Sequence, residues 1–205
     1  MQIFDIHIHS NYSDGVNSPE EIVRYAKKIG LSGIAITDHN EIRGSLKAMK
    51  FQDKNFNVIP GIEISAIEGH ILALYVKEKI SALLSAEETI EIIHKLGGIA
   101  IAAHPYDFFR GGVRDLIFKL KFDAIEIENG HTLYSTKKPS EIKKSNLPLV
   151  GGSDAHSLDE IGSVSILVPE NENLVDAIKN NSVEILSKRS KIKTIGNFLK
   201  RRIRF

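Results

Sequence analysis

The chain has 205 residues, of which 42% are hydrophobic and 26% charged, and its 27 basic and 26 acidic residues give a formal net charge of +1. This length and balance predict one globular domain with its own hydrophobic core and exclude a chain that is disordered throughout. The absence of cysteine excludes disulfides, zinc–thiolate sites, iron–sulfur clusters and thiol catalysis. Because the sequence shows neither a membrane-length apolar run nor a secretory signal, we expect a cytoplasmic protein with no membrane span.

Short β-rich segments alternate with helical segments along the chain. Strands are predicted at residues 2–7, 33–37, 57–64, 70–76, 99–103, 124–128, 149–152 and 165–168. Helices are predicted at about 18–29, 85–97, 112–120 and 173–180, and the first two begin at serines that can cap them. Several strands are nearly continuous Val, Ile and Ala runs, which are typical of parallel strands covered on both faces. This alternation predicts an α/β fold, a distorted and seven-stranded (β/α) barrel.

Histidines and acids cluster where the predicted strands end, and in a parallel barrel those ends share one face. His7 and His9 are two apart on an extended segment, so both side chains point to the same side. Asp14 follows in a turn, where Asp is also common as a turn former. Glu63 lies inside an apolar strand, where an unpaired carboxylate is costly and a cation is a suitable partner. Although a lone histidine is usually structural, this arrangement predicts a multinuclear metal site, with further members at Asp38, His39, His70, His104, Asp154 and His156.

These motifs together resemble the PHP (polymerase and histidinol phosphatase) domain family over about residues 3–160. They are His7-x-His9, Ser13-Asp14-Gly15, Thr37-Asp38-His39, Gly61-Ile62-Glu63, His70, His104-Pro105 and Asp154-Ala155-His156. The resemblance implies a distorted seven-stranded barrel, three metal ions at the C-terminal face of the strands, and phosphoesterase activity. It implies a first ion held by His7, His9, Glu63 and Asp154. It implies a second ion held by Glu63, His70 and His104, and a third held by Asp14, His39 and His156.

The chemistry of the donor set indicates which ions and which nucleophile to expect. Mixed imidazole and carboxylate ligands without thiolate favour Mn²⁺, Zn²⁺ or Fe²⁺ over Ca²⁺ and Mg²⁺. Clustered ions lower the pKa of a bound water, so the predicted nucleophile is a metal-bound water. We expect Asp38 to act in catalysis by orienting the imidazole of a ligand such as His39. For Asp5, a bond to His7 or His9 and pairing with the backbone both remain open.

The resemblance narrows the substrate to a class of phosphate ester. The short form of the chain, with Asp14 in its first motif, resembles the branch that acts on nucleotides and oligonucleotides, as a 3′,5′-nucleoside bisphosphate phosphatase or a 5′-3′ exonuclease. One alternative is a phosphatase of histidinol phosphate or another small molecule. Alternatives of other classes are a non-catalytic barrel scaffold in a nucleic-acid-processing complex and a metal-dependent amidohydrolase.

Two loops carry the candidate substrate-binding residues. Arg110 and Arg114 follow His104 in a loop that also holds Phe108 and Phe109, and this mixture suits phosphate binding and base stacking. Alternatively, the phenylalanines pack the loop and Arg114 only begins a helix. The second loop follows the strand at 124–128, and in it we expect Asn129 to bind substrate. His131 in the same loop is expected to contact phosphate or donate a proton to the leaving group.

The end of the chain differs in charge from the rest. From residue 188 onward there are eight basic residues and no acid, whereas the other 19 basic residues are outnumbered by 26 acidic ones. We therefore divide the chain into a barrel at 1–187 and a basic tail at 188–205. Such a tail favours phosphate backbones, so nucleic-acid contact is expected, and a solvated end that balances an acidic body is the alternative.

Overall fold

Nine strands join into one mixed sheet in the computed structural model, which describes residues 1–188 of the chain. The strands are β1 (Gln2–Ile8), β2 (Gly33–Ile36), β3 (Asn57–Ala66), β4 (Gly69–Leu74), β5 (Ile99–Ala102), β6 (Ala124–Asn129), β7 (Leu149–Gly152), β8 (Val164–Val168) and β9 (Glu184–Ser187). The α-helices are α1 (Pro19–Lys28), α2 (Arg43–Ala48), α3 (Ala86–Lys95), α4 (Pro139–Ile142) and α5 (Leu174–Lys179). Nearly all of the predicted basic tail lies outside the described residues, so the division at residue 187 stays a prediction.

Local sequence signals explain where the two long helices begin. Ser18 caps α1, accepting from the backbone N–H of Glu21 at 3.3 Å, while the Glu21 side chain accepts from the Ser18 N–H at 2.8 Å. Ser85 caps α3 in the same reciprocal way. The helix predicted at about 112–120 is instead a short 3₁₀ helix at Arg114–Phe118, and Arg114 at its start has a left-handed φ of 49°.

The sheet runs in the order β7-β6-β5-β4-β3-β2-β1-β8-β9. β1, β2 and β3 are parallel to one another, as are β5, β6 and β7, whereas β4, β8 and β9 run antiparallel to their neighbours. The architecture is an α/β barrel, but the predictions of seven strands and of a parallel sheet are wrong. Only Ile67 and Glu68 separate β3 from β4, and so short a connection forces an antiparallel hairpin.

The sheet curls until its edge strand β7 returns to β1 and nearly closes the barrel. The N–H of His9 donates to the carbonyl of Ala155 at 2.8 Å across this seam. The buried carboxylate of Asp5 accepts from the N–H groups of Ser153 at 3.1 Å and Gly162 at 2.8 Å. Burial raises the pKa of Asp5 to about 6 although these hydrogen bonds oppose the change. Asp5 therefore pairs with the backbone, which decides between the two roles left open for it.

Helices cover the outer face of the barrel. α1 contributes Ile22 and Val23 to one buried cluster with Ile34 of β2, whereas α3 contributes Ile90 and Ile93 to another. β2 and β5 are buried along their whole length, as the unbroken apolar runs predicted. Among residues 1–188, no helix is long and apolar enough to cross a membrane.

Gly152 allows β7 to approach β1 closely, so we expect Gly152→Ala to destabilise the fold by about 1–3 kcal/mol. A Cβ at this position would stand 2.5 Å from the Cβ of His7, which a packed seam cannot accommodate without moving that histidine. Thermal unfolding followed by circular dichroism measures the change. Gly111→Ala is the matched control, because the nearest atom to its Cβ would be 3.7 Å away. Equal melting temperatures for the two variants would show that the seam tolerates the methyl group.

Candidate metal centre

The candidate ligands gather at one end of the barrel. His7 on β1, His39 after β2, His104 after β5 and Asp154 after β7 reach this end because their strands are all directed toward it. His70 lies at the start of β4 rather than at its end, and it reaches the same place because β4 is antiparallel to its neighbours. The two strand-end residues His104 and Asp154 have φ values of 30° and 55°, a backbone conformation that is uncommon outside functional sites and turns.

The carboxylate of Glu63 lies at the centre of the cluster. It is 1% exposed, and five imidazole nitrogens lie 3.1–3.3 Å from its two oxygens. These nitrogens belong to His7, His9, His39, His70 and His104. Burial alone would raise the pKa of Glu63, but the surrounding imidazoles hold it well below its ordinary value. Three rings face Oε2 and two face Oε1, so both carboxylate oxygens lie beside candidate ligands, and the bridging role of Glu63 stays a prediction.

Asp154 extends the cluster beside the first two histidines. Its Oδ1 is 3.1 Å from Nε2 of His9 and 3.6 Å from Nε2 of His7. Its Oδ2 accepts from the guanidinium of Arg110. Burial would raise the pKa of Asp154, but the charges of His7 and Arg110 hold it well below its ordinary value. One carboxylate thus connects the predicted first ion site to an arginine.

Asp14 extends the cluster on the other side. Its Oδ2 is 3.0 Å from Nε2 of His156 and 3.9 Å from Nε2 of His39, and its Oδ1 is 3.7 Å from Nδ1 of His9. Partial burial would raise the pKa of Asp14, but hydrogen bonding to His156 lowers it below its ordinary value. All nine predicted ligands therefore lie together in one cluster.

Several buried imidazole nitrogens of the cluster lack a hydrogen bond, which is the observation that fits a metal. Within the described part of the chain they are both ring nitrogens of His9 and Nδ1 of His39, His70 and His104. Buried polar atoms are rarely left unpaired, and the unpaired nitrogens of His9, His39 and His70 lie beside carboxylates, which suits ligation of a shared cation. Burial lowers the pKa of His39 and His104, which keeps these two rings neutral and ready to ligate.

In the described part of the chain, ligand atoms within 4.8 Å of one another form four groups, of which one joins His131, His156 and Glu160 and the other three contain only predicted ligands. The first is His7, His9 and Glu63; the second is His39, Glu63 and His70; the third is His9, Asp14, His39 and His156. These three groups resemble the predicted ion sites, but Asp154 is absent from the first, His39 takes the place of His104 in the second, and His9 joins the third. The number of ions and the sharing of ligands stay predictions.

Glu126 is a buried acid of the site that the sequence analysis missed. Its Oε1 is 2.8 Å from Nδ1 of His7, and its Oε2 accepts from the backbone N–H of His104 at 2.9 Å. Glu126 therefore contacts both His7 and His104, two predicted ligands. Because it binds Nδ1 of His7, Nε2 of that ring is left to face the cluster. The signal was present, because Glu126 interrupts an apolar strand in the same way as Glu63.

We expect Glu126→Gln to weaken metal binding about 10- to 100-fold, because groups that orient metal-ligating histidines contribute that much. An amide keeps the size of the side chain but removes the charge that fixes the imidazole of His7. Competition with a chromogenic chelator measures the apparent dissociation constant. Glu128→Gln, two residues along β6, is the matched control. Equal dissociation constants for both variants would show that Glu126 does not support the ligands.

Asp38 does not orient the imidazole of His39, which corrects the role predicted for it. Its Oδ1 accepts from the N–H of Ser10 at 2.7 Å and the hydroxyl of Ser13 at 2.8 Å. Its Oδ2 accepts from the Ser10 hydroxyl at 2.6 Å. Successive side chains on an extended segment point to opposite sides, so Asp38 turns away from the His39 ring. Its structural effect is to hold the loop that carries Asp14.

Arg110 enters the cluster from the loop after β5. Its guanidinium donates to Asp107 at 2.9 Å and to the amide oxygen of Asn129 at 2.9 Å, besides Asp154. Burial would lower the pKa of Arg110, but Asp154 and Asp107 raise it above its ordinary value. The amide of Asn129 also donates to Asp154 at 3.2 Å. The structure thus brings Arg110 and Asn129 together beside the candidate ligands.

Of the other two candidate residues, Arg114 lies away from the cluster and His131 lies at its edge. Arg114 is exposed, begins the 3₁₀ turn, and is not among the described residues that line the cleft over the cluster. This agrees with the alternative that it only begins a helical turn. His131 is nearly buried, with Nε2 3.4 Å from Oε1 of Glu160 and its ring 5.7 Å from that of His156. It lies beside a predicted ligand, and its role as a proton donor stays a prediction.

Known proteins resemble this chain in sequence and in structure. The uncharacterized protein MJ1587 of Methanocaldococcus jannaschii is 41% identical over 139 residues, 62% of this chain and 81% of the relative. A 5′-3′ exoribonuclease of Haemophilus influenzae is 36% identical over 95 residues, 42% of this chain and 35% of the relative. A two-domain structure from Bacteroides vulgatus, containing a predicted PHP-like metal-dependent phosphoesterase, has a TM-score of 0.73 at 20% identity, covering 91% of this chain and 64% of that one.

Two family models match the sequence and confirm the resemblance noted from its motifs. A model described as PHP-associated matches residues 140–183. A model described as PHP domain matches residues 5–113, which is more than half of the chain and contains seven of the nine candidate ligands. The chain belongs to the PHP domain family.

Proposed function

We propose that this chain is a metal-dependent phosphoesterase that hydrolyses phosphate esters of nucleotides or oligonucleotides, of the 3′,5′-nucleoside bisphosphate phosphatase or 5′-3′ exonuclease type. The observation that carries the proposal is the Glu63-centred cluster with the guanidinium of Arg110 at its edge. The relative named as an exoribonuclease supports the nucleic-acid part, although this chain spans only about a third of its length. Three ions of Mn²⁺, Zn²⁺ or Fe²⁺ suit the proposed ligands.

When bound, clustered divalent ions activate a water and neutralise the phosphoryl oxygens. The residues of the chain supply the rest. Asp107 occupies Nε and Nη2 of Arg110 and holds the guanidinium at the cleft, so a phosphate oxygen would bind through Nη1, beside Asp154. Asn129 donates to Asp154 and accepts from Arg110, which fixes both groups before substrate binds. Such preorganisation favours a developing charge on the phosphoryl group.

Phosphate release by the Mn²⁺-loaded protein tests the proposal. The substrates are a nucleoside 3′,5′-bisphosphate, short 5′-phosphorylated oligonucleotides, histidinol phosphate and an aryl phosphate. A His7→Ala/His156→Ala variant is the blank, and metal analysis of both proteins accompanies the assay. Turnover of the first two substrates that disappears in the blank supports the proposal. Equal or better turnover of histidinol phosphate would favour a small-molecule phosphatase, and no turnover by fully metallated protein would favour a scaffold.

A further inference from the structure

Three exposed aromatic rings, those of Phe108, Phe109 and Tyr134, lie in or beside the loop of Arg110. Phe108 is 58% exposed and Tyr134 is 62% exposed, and their ring centroids are 6.2 Å apart. Their loops pair with each other, since the N–H of Phe108 donates to the carbonyl of Tyr134 at 3.1 Å. Exposed apolar side chains that adjoin one another, rather than lying scattered singly, are typical of an interaction surface. We call Phe108 and Tyr134 the aromatic patch.

A single buried acid connects the turn that carries Phe108 to the guanidinium of Arg110. Asp107 is 3% exposed. Its Oδ1 accepts from the N–H of Phe109 at 2.8 Å, and its Oδ2 accepts from Nε and Nη2 of Arg110 at 3.2 and 2.9 Å. The turn that presents Phe108 and the arginine is therefore one unit. Its geometry is set before a ligand arrives.

The size of the cleft indicates what the patch contacts. The cleft over the cluster, lined by Arg110 and seven of the nine candidate ligands, has a volume of about 220 Å³. Pockets that enclose a whole small molecule have volumes of about 300–1,000 Å³, so this cleft holds a phosphate group but not an entire nucleotide. The rest of a nucleotide must lie outside the cleft. Phe108 precedes Arg110 by two residues in the same loop, so its exposed ring is a candidate contact for that part of the ligand.

We propose that the aromatic patch is a binding subsite for an unpaired base next to the phosphate held at Arg110, so that the ligand is a single-stranded oligonucleotide. This inference rests on the proposed function and names its substrate class. An aromatic side chain stacks on any base, but a base inside a duplex is already stacked on both faces. A base-free sugar phosphate has nothing to place on the patch.

Because the chain contains no tryptophan, Phe108→Trp introduces a single indole whose fluorescence reports stacking. The Mn²⁺-loaded, full-length variant is titrated with a tetranucleotide whose phosphorothioate linkages resist hydrolysis, with a duplex of the same chemistry, and with ribose 5-phosphate. We expect quenching by the single strand at concentrations where the duplex and the sugar phosphate cause none. Equal quenching by all three ligands, or by none, would overturn the proposal.

Direct binding to the unlabelled oligonucleotide tests the two rings separately. Calorimetry of Phe108→Ala and Tyr134→Ala should show affinity for the tetranucleotide about 5- to 150-fold weaker, the range measured for one stacked base. Phe118→Ala is the matched control, because Phe118 is a 43% exposed phenylalanine outside the patch. Unchanged affinity in both patch variants would overturn the subsite. So would a dimer that only the patch variants dissociate while they still bind the strand, since a second copy would then cover the patch.

These binding experiments can fail independently of the proposed activity. If the protein hydrolyses none of the phosphate esters but the indole is quenched only by single strands, the subsite holds and the proposed hydrolysis is wrong. If the protein hydrolyses nucleotides but the single strand binds no better than ribose 5-phosphate, the proposed hydrolysis holds and the subsite is wrong. Circular dichroism of each variant verifies that it is folded.

Discussion

Replacing Glu63 with glutamine is expected to release metal from the cluster and to lower phosphoester hydrolysis by about 10²- to 10⁴-fold. Five imidazole nitrogens surround this buried carboxylate at 3.1–3.3 Å, so its negative charge acts on all five of these candidate ligands. Removing one partner from a buried charged arrangement costs about 3–5 kcal/mol, and that cost corresponds to the stated factor. The amide also presents N–H donors to nitrogens that must be free to bind a cation.

The first readout for Glu63→Gln is the metal content per chain after dialysis. Inductively coupled plasma mass spectrometry measures it. Phosphate release with saturating Mn²⁺ gives the second. Glu20→Gln, an exposed change on α1, is the matched control and should keep the metal content and activity of the unmodified protein. If Glu63→Gln retained a full complement of metal, the carboxylate would not bridge the ions and the centre would have to be assigned differently.

The candidate site was more predictable than the fold because its ligands follow simple local rules. His7 and His9 are two apart on a strand, and Glu63 is an acid in an apolar strand, so each indicates a ligand without knowledge of the tertiary structure. The actual roles of Asp38 and Glu126 depend on which side of a strand each residue faces. The position of Asp38 next to His39 predicts a contact with the neighbouring ring, but the alternation of side chains directs Asp38 to the loop of Asp14.

The fold departs from the prediction where strand direction and strand number depend on tertiary pairing. The two-residue link between β3 and β4 could have indicated an antiparallel pair, but the alternation of strands and helices elsewhere favoured a parallel barrel. β9 was missed because none of its four residues is buried, so it has no apolar run to identify it. Its register comes from pairing with β8, which only the assembled sheet provides.

Metal binding should become much tighter as the pH rises, because in the metal-free protein two of the candidate ligands hold protons. Burial would lower the pKa of His7, but the charges of Glu126, Asp154 and Glu63 raise it well above its ordinary value. Burial would likewise lower the pKa of His9, but Asp154 and Glu63 raise it to about 9. A divalent cation binds the neutral imidazole, so both protons must leave when the metal arrives.

Loss of two protons makes the apparent association constant rise by about a hundredfold per pH unit while both rings remain protonated. The increase should diminish as the pH approaches 9, where His9 loses its proton without metal. Calorimetric titration with Mn²⁺ at pH 7, in two buffers of different ionisation enthalpy, counts the protons released. We expect about two protons for the first ion bound. A count of zero would show that the site is already neutral and that its carboxylates do not raise these pKa values.

The stability of the metal-free protein should change with pH in the opposite direction. The pKa of His9 is about 9 in the folded chain against an ordinary 6.5, so its proton stabilises the fold fully below pH 6.5. That contribution, about 3 kcal/mol, is lost as the pH rises through about 9. Melting temperatures measured with a chelator should therefore fall between pH 6.5 and 8.5, while those measured with Mn²⁺ rise as binding tightens. His94→Gln, which removes a histidine outside the cluster, should leave both trends unchanged. If both melting temperatures moved in parallel, the protons lost over this range would not be those that the metal displaces.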